Sequence, residues 1–529
     1  MFSIIDWAVL AAYMAAVLWI GVLASRRKEH GDEFFLAGRS MPAWAVAVSV
    51  LATALSAATF IGGPQQSYRG DLTYLASNVG GLIAVLIVGF LFLPAFYAAG
   101  TPSIYGYLGK RFSIGTQASA GGMFMLGRLL ASGARLFITA IPFALIAFGS
   151  AEGWPLVISI VLVTLAAAAY TMLGGIRAVI WTDVLQACVV VGTVLLAVFV
   201  LFNRIDLPIS DIMDRLSAAD GGDKLTVVDW SGDPSKPYTA WASLIGVTLF
   251  MVAAFGTDQD LTQRMLTCKT PGKATWAVIL SNLLGWPVVL LFLVVGLLLW
   301  VEEQVHGPIL PDLPDQGDRA VFLRFILRDM PLGLRGLMVA GLFAAAMSSL
   351  DSVLNAMAAS TVADWLRPLR SSVGSPPRTA SEETRLTRII IAVWALLLAC
   401  FAIGAALWQT ASGQTLIDFA LGVMVFAYAG LLGVFATALL TKRGSPVSAA
   451  AALVVGLLVV VAIDPSVWSM WAGDEVPPLA FPWRMTAASL IAFCVCLCGS
   501  PCPTGQSPPP AREASCKTRT EPDPSRPPD

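Results

Sequence analysis

Ser348 and Ser349 stand side by side within GLFAAAMSSLDSVLN (341–355), a stretch otherwise apolar enough for a bilayer. Ala345 precedes them by three and four residues, so its carbonyl and the two hydroxyls share one helical face. An uncharged cluster of oxygens suits a hard, weakly held cation such as sodium and suits zinc or copper poorly. Serines in membrane helices also have a plainer use, bonding back to the i−4 carbonyl or packing against a neighbour. This stretch by itself admits both readings.

A second stretch points the same way. Residues 50–64 read VLATALSAATFIGGP, rich in small and hydroxylic residues and closing on Gly62-Gly63-Pro64. Proline has no backbone donor and glycine is loose, so carbonyls here can leave helical bonding and face a cavity. A discontinuous helix at membrane depth frees backbone oxygens for an ion. Close packing through Ala52, Ala54, Ser56 and Ala57 is the competing use.

The elements that must position these groups follow from composition. The 529 residues are 57% hydrophobic and 13% charged, which describes a polytopic all-α membrane protein embedded in a lipid bilayer. A net charge of −1 with no basic stripe argues against a nucleic-acid partner. The 8 cysteines lack the spacing of a disulfide framework or zinc site, and Cys494, Cys496, Cys498 and Cys502 gather at the end of the last span. The 2 histidines, His30 and His306, fall in loops, and no nucleophile–base set accompanies them, so the chain does not read as an enzyme.

Apolar stretches long enough to cross a bilayer recur about thirteen times. Their centres lie near Met14, Leu55, Leu86, Arg135, Val163, Val191, Leu249, Leu290, Ala346, Leu397, Phe426, Val455 and Ile491. The first lacks a basic leader and ends at Arg26-Arg27-Lys28, which suits a retained anchor with an outside N-terminus. Lys and Arg concentrate in the segments this assigns to the inside, giving a cytoplasmic C-terminus and an inner or plasma membrane location. The chain then divides into a leading helix and inner loop (1–41), five spans (42–202), an outer loop (203–237) and five more spans (238–440, with an outer loop at 302–333). Two trailing spans (441–500) and a disordered cytoplasmic tail (501–529) complete it. Two five-span blocks hint at the inverted repeats of secondary transporters.

At this point the motifs, taken in order, resemble the sodium:solute symporters, which have the LeuT-type inverted-repeat fold. The likeness rests on FFLAGRSMP (34–42), ATALSAATFIGGP (52–64), YTMLGGIRAVIWTDVLQ (170–186), FGTDQDLTQRML (255–266) and FAAAMSSLDSVLN (343–355). It implies a 5+5 core with one leading and two trailing helices, and sodium held between the first and eighth core spans. The matching ligands are the carbonyls of Ala52, Leu55 and Ala345 with the hydroxyls of Ser348 and Ser349. Asp183 matches an aspartate near the sodium site or its inner exit path, where it completes a second sodium site with the serines or is simply solvated at the span's end. Asp351 either tunes that exit path or caps an inner vestibule. Asp258, Asp260 and Arg264 read as a gating ion-pair network or as solvated helix-end charges.

The solute pocket implied by the resemblance draws Ser56 and Thr59 from the broken helix, then Tyr74 and Asn78, then Arg128 and Arg135 seven residues apart on nearly one face. An arginine in hydrocarbon is costly unless partnered, so at least one faces water, a carboxylate or a ligand. This set is similar to that of bacterial sialic acid symporters, in which the arginine meets the carboxylate of an acidic sugar. Asn78 replaces an expected glutamine, and Ala253-Ala254 replace polar residues. The expectation is sodium-coupled symport of a small organic solute bearing a carboxylate, such as an acidic sugar or monocarboxylate. Symport of a neutral sugar, or solute sensing on the same fold, is the alternative.

Overall fold

The structure, a computed structural model, describes residues 2–25, 35–172, 175–307, 321–374, 376, 379–412, 416–473 and 477–500. Arg26, Arg27, Lys28, Cys502 and the 501–529 tail lie outside the described residues. Helices α1 (Ile4–Ser25), α2 (Ala43–Ala54) and α3 (Ala57–Arg69) open the chain. They are followed by α4 (Thr73–Ala99), α5 (Ile114–Phe148), α6 (Gly153–Thr171) and α7 (Ile176–Ile205). The second half holds α8 (Ala242–Gly256), α9 (Gln259–Met265), α10 (Pro271–His306) and α11 (Leu334–Ser360). It ends in α12 (Ala380–Ser412), α13 (Leu416–Leu440), α14 (Pro446–Ala462) and α15 (Phe481–Leu497).

Among the described residues, eight helices are long and apolar enough to cross a bilayer, and up to ten if the two bent pairs α2/α3 and α8/α9 each count as one span. Helices α14, α15 and most of α6 are apolar but shorter, at 10–17 residues. A helix of 17 residues lies at the short end of the roughly 17–25 that a crossing takes. The thirteen crossings expected from hydropathy are therefore not all matched by long spans. Each centre read from the sequence nevertheless falls in a helix, save Leu55, which falls between two.

The first break departs from its expected place. Pro64 sits inside the helical run of α3, and the chain is instead extended at Leu55 (φ −77°, ψ 112°) and Ser56 (φ −116°, ψ 174°). The axis turns by 63° there, and by 65° between α8 and α9. Gly62 and Gly63 serve packing: a Cβ on Gly62 would stand 2.8 Å from Ile417, and one on Gly63 3.1 Å from Phe292. The small residues admit α13 and α10 against α3, and the break is left to the residues beside the ion candidates.

Helix α11 is buried along most of its length, packed by α1, α2, α5 and α7. At its start the Asp6 carboxylate of α1 accepts from the backbone amides of Gly333 (2.8 Å) and Gly336 (3.0 Å). These are orphan donors of a helix N-terminus, which an acidic group satisfies. A Cβ at Gly336 would lie 2.5 Å from the Asp6 backbone. Gly336→Val is therefore expected to prise α1 from α11 and cost about 1–3 kcal/mol, read as a lowered melting temperature of detergent-purified protein.

The 203–237 connection folds back on the bundle. The Lys224 ammonium donates to the carbonyls of Tyr68 and Gly70 at 2.9 Å each, satisfying the C-terminal end of α3. Of the 302–333 segment, residues 308–320 lie outside the described residues, and Val321–Arg328 is helical.

Candidate ion and solute site

Two extended residues in succession stop the i→i−4 ladder, so the last carbonyls of α2 lose intrahelical partners. Helix α11 supplies them. The Ser348 hydroxyl lies 3.0 Å from the Ala52 carbonyl and 3.2 Å from that of Ala345. The Ser349 hydroxyl lies 3.2 Å from the Thr53 carbonyl and 3.4 Å from that of Ala345. Each hydroxyl has one proton for two carbonyls, so this group is rich in acceptors. All five residues are buried. The arrangement joins a helix-terminal backbone to a neighbouring helix through uncharged oxygens, and a hard cation would satisfy it better than two protons do.

Thr53 was not singled out from the sequence, and its carbonyl is the partner of Ser349. Leu55 sits at the break itself, buried, and its carbonyl is not among the hydrogen-bond partners of either serine. The missed residue carries a weak signal, since any carbonyl in the last turn before a break is freed whatever its side chain.

Beside this group runs a buried ion-pair cluster. Asp258, Asp260 and Arg264 are 0%, 0% and 1% exposed, so they are not the solvated helix-end charges that one reading of the sequence offered. Arg264 bridges Asp260 (2.8 Å) and Asp183 (3.2 Å), and its Nε donates to the Ser49 hydroxyl at 3.0 Å. Ser49 in turn donates to Asp183, and Ser352 to Asp260. Asp183 is fully buried, which removes simple solvation as its role. Asp351 is buried as well and accepts from the Ser352 amide at 2.6 Å. Charge-assisted bonds of this kind compensate desolvation only when every partner is in place.

The two arginines of α5 part company. Arg128 lies 2.7 Å from Asp258 and 3.3 Å from Asp260, and Tyr428 of α13 donates to Asp258 at 2.6 Å. Arg135, two turns on, pairs with no described carboxylate. One of its terminal nitrogens stands 3.4 Å from the Met424 sulfur, and its Nε is buried without a hydrogen-bond partner. Seven-residue spacing alone could not separate them, because the partner of Arg128 comes from a helix more than a hundred residues away.

The remaining solute candidates flank the break. Ser56 is buried and caps nothing with its side chain, and Thr59 one turn later is half-buried. Asn78 is half-buried and donates to the Leu75 carbonyl at 3.1 Å, which leaves its amide oxygen to accept. Tyr74 packs edge-on against Tyr238, ring centres 4.9 Å apart, and Tyr238 donates to Asp418 at 2.6 Å. Tyr238 and Asp418 were not picked out from the sequence, since neither sits in a recognisable motif.

Residues 34–456 match the model of the sodium:solute symporter family. The sodium/sialic acid symporter SiaT of Proteus mirabilis is 30% identical over 462 residues, covering 87% of this chain and 90% of that protein. The sodium/sialic acid symporter NanT of Aliivibrio fischeri is 30% identical over 397 residues, covering 75% of each. The structure of a Na+-coupled sialic acid symporter in a substrate-bound, outward-open state superposes with a TM-score of 0.80 at 27% identity, covering 94% of this chain and 97% of that one. The fold is that of the LeuT-type transporters.

Proposed function

The chain belongs to the sodium:solute symporter family, and from that premise we propose that it imports a carboxylate-bearing sugar of the sialic acid type together with sodium. It is a multi-pass integral membrane transporter and not an enzyme. The observation that carries the solute class is the contrast between Arg128, which is ion-paired, and Arg135, which is not. A half-buried guanidinium without a protein carboxylate is suited to a ligand's carboxylate, as a planar fork that binds it in two places. Ser56, Thr59, Tyr74 and Asn78 supply hydroxyl, phenol and amide groups for the rest of the solute.

Sodium takes the carbonyls of Ala52, Leu55 and Ala345 with the hydroxyls of Ser348 and Ser349, joined by the Thr53 carbonyl. Asp183 with the serines makes a second sodium site or the start of the exit path, and Asp351 tunes that path. The five-span blocks 42–202 and 238–440 form the inverted repeat, each opening on a bent helix pair. Lys and Arg distribution puts the N-terminus outside and the C-terminus in the cytoplasm.

Coupling follows from differential affinity. Sodium binding holds α2 to α11 and so favours the conformation in which the solute binds. Release to a low-sodium cytoplasm frees that contact. Each ion supplies about 2.3 kcal/mol per 100 mV of membrane potential, and a tenfold gradient adds about 1.4 kcal/mol. One ion thus supports accumulation of a neutral solute by several hundredfold. An anionic solute enters against the potential, so a second ion is worth more to it.

A thermal-shift screen of the purified protein against acidic sugars, monocarboxylates, neutral sugars and amino acids, with and without sodium, tests the reading. Sialic acid is expected to raise the melting temperature only when sodium is present, because ligands that bind the native state alone stabilise it. Stabilisation by a neutral sugar and by no acid would refute the assignment.

A further inference from the structure

Residues 35–42, just ahead of α2, carry a motif that none of the steps above uses. Their backbone is unusual. Ala37 (φ 50°), Gly38 (φ 59°) and Arg39 (φ 53°) are left-handed in succession. Glycine enters that region freely, but alanine and arginine press their Cβ toward the following carbonyl there. Strained residues persist only where surrounding contacts hold them, and such strain gathers at clamps and switches.

The contacts that hold this turn come from two sides. Its hub is the Ala37 carbonyl, which accepts from the Ser40 hydroxyl and from a terminal nitrogen of Arg177 at 2.9 Å each, and from the Ser40 amide at 3.3 Å. The same Arg177 nitrogen donates to the Ser40 hydroxyl at 2.9 Å. On the other side, Gln263 of α9 donates to the Phe35 carbonyl at 2.8 Å, and the Met41 amide donates to the Thr267 carbonyl at 3.2 Å. The Arg39 guanidinium lies over the Tyr97 ring of α4, 4.9 Å from its centre. The turn is thus stapled to α4 and α9 and clasped from α7.

The clasp lies in line with the charge network. Arg177 stands six residues before Asp183 on α7, about 9 Å along the helix axis. At the level of Asp183, α7 is tied to α2 through Ser49 and to α9 through Arg264. The turn repeats that closure one layer nearer the proposed cytoplasmic end. Helix α2 begins at Ala43 directly after it, so the turn and the half-helix that ends in the sodium-facing carbonyls move together.

We propose that the 37–39 turn is a loaded inner latch, held shut by Arg177, whose release parts α2 from α7 and lets sodium pass Asp183 to the cytoplasm. This rests on the symport reading and deepens it. Two opposed forces set the latch. The guanidinium favours the closed turn, and the left-handed alanine and arginine favour its relaxation.

The test reads the sodium concentration that half-saturates uptake of sialic acid into proteoliposomes, with melting temperature as the measure of folding. An open latch leaves less of the protein competent to hold sodium, so that concentration rises. Arg177→Met, which keeps the stem and removes the donors, is expected to raise it at least fivefold. Ala37→Gly takes strain out of the closed turn and is expected to lower it at least twofold, both alone and added to Arg177→Met. Neither residue belongs to the sodium or solute sites, and a purely structural role would lower the melting temperature and leave the half-saturating sodium unmoved. If Arg177→Met does not fold, Ala37→Gly alone decides. Half-saturation left in place by either folded variant, or moved the same way by both, would overturn the latch. Absence of sodium-dependent uptake in the unmodified protein would instead overturn the symport reading beneath it, and the latch with it.

Discussion

The Ser348→Ala, Ser349→Ala double variant is expected to lose sodium-driven accumulation altogether while still folding. Both hydroxyls leave the group shared with Ala52, Thr53 and Ala345, and backbone carbonyls alone cannot complete a shell. In the unmodified protein, sodium at 100 times its dissociation constant should add about 2.7 kcal/mol of stability. In the variant that increment should vanish. The cost to the fold is about 1–3 kcal/mol for carbonyls left without a donor, and α11 remains packed along its whole buried length. Melting curves with and without sodium, paired with uptake in proteoliposomes, read both effects. Sodium-dependent stabilisation surviving in the variant would place the ion elsewhere.

That pair of serines was open to reading because of its contrast with its surroundings. Adjacent hydroxyls in a run of Ala, Met and Leu are conspicuous, and helical spacing assigns them a face with Ala345. The break was legible as a fact and misplaced as a position. Gly62, Gly63 and Pro64 look like the weakest point, but a proline costs a helix only one backbone bond and its local clash. The small glycines beside it instead admit close contact with Ile417 and Phe292. The bend falls instead at Leu55 and Ser56, residues whose own propensities announce nothing.

The ion-pair cluster was the least legible part. Asp258, Asp260 and Arg264 are a short charged run at a helix end, which most often means solvent. Their burial is decided by groups far away in sequence: Arg128, Ser49, Asp183, Ser352 and Tyr428. Spacing within one segment reports local faces, and no local pattern encodes which distant face will close over it. Helix α1 illustrates the same limit, since nothing in its apolar run marks Asp6 as the partner of Gly333 and Gly336.

The arginines of α5 give the second large effect, and they are expected to fail in opposite ways. Arg135→Gln should fold normally and keep its stabilisation by sodium, because the guanidinium has no protein carboxylate to abandon. It should lose about 2–5 kcal/mol of affinity for an acidic solute, the usual cost of truncating one partner of a buried charge pair. That corresponds to a rise of roughly 30-fold to several thousandfold in KM for sialic acid. Arg128→Gln should instead lose the fold. It strands Asp258, which is wholly buried, and leaves Asp260 to Arg264 alone, and removing one partner of such a pair costs about 3–5 kcal/mol. Neutralising its nearer partner too, in Arg128→Gln with Asp258→Asn, should recover part of that stability, since a pair is cheaper to remove whole than to halve. Size-exclusion profiles, melting temperatures and uptake KM for the three variants separate the roles. A well-folded Arg128→Gln that no longer binds acid, beside an Arg135→Gln that transports normally, would exchange the assignments. The solute's carboxylate would then belong at the Asp258 cluster, displacing an internal carboxylate instead of meeting an unclaimed guanidinium.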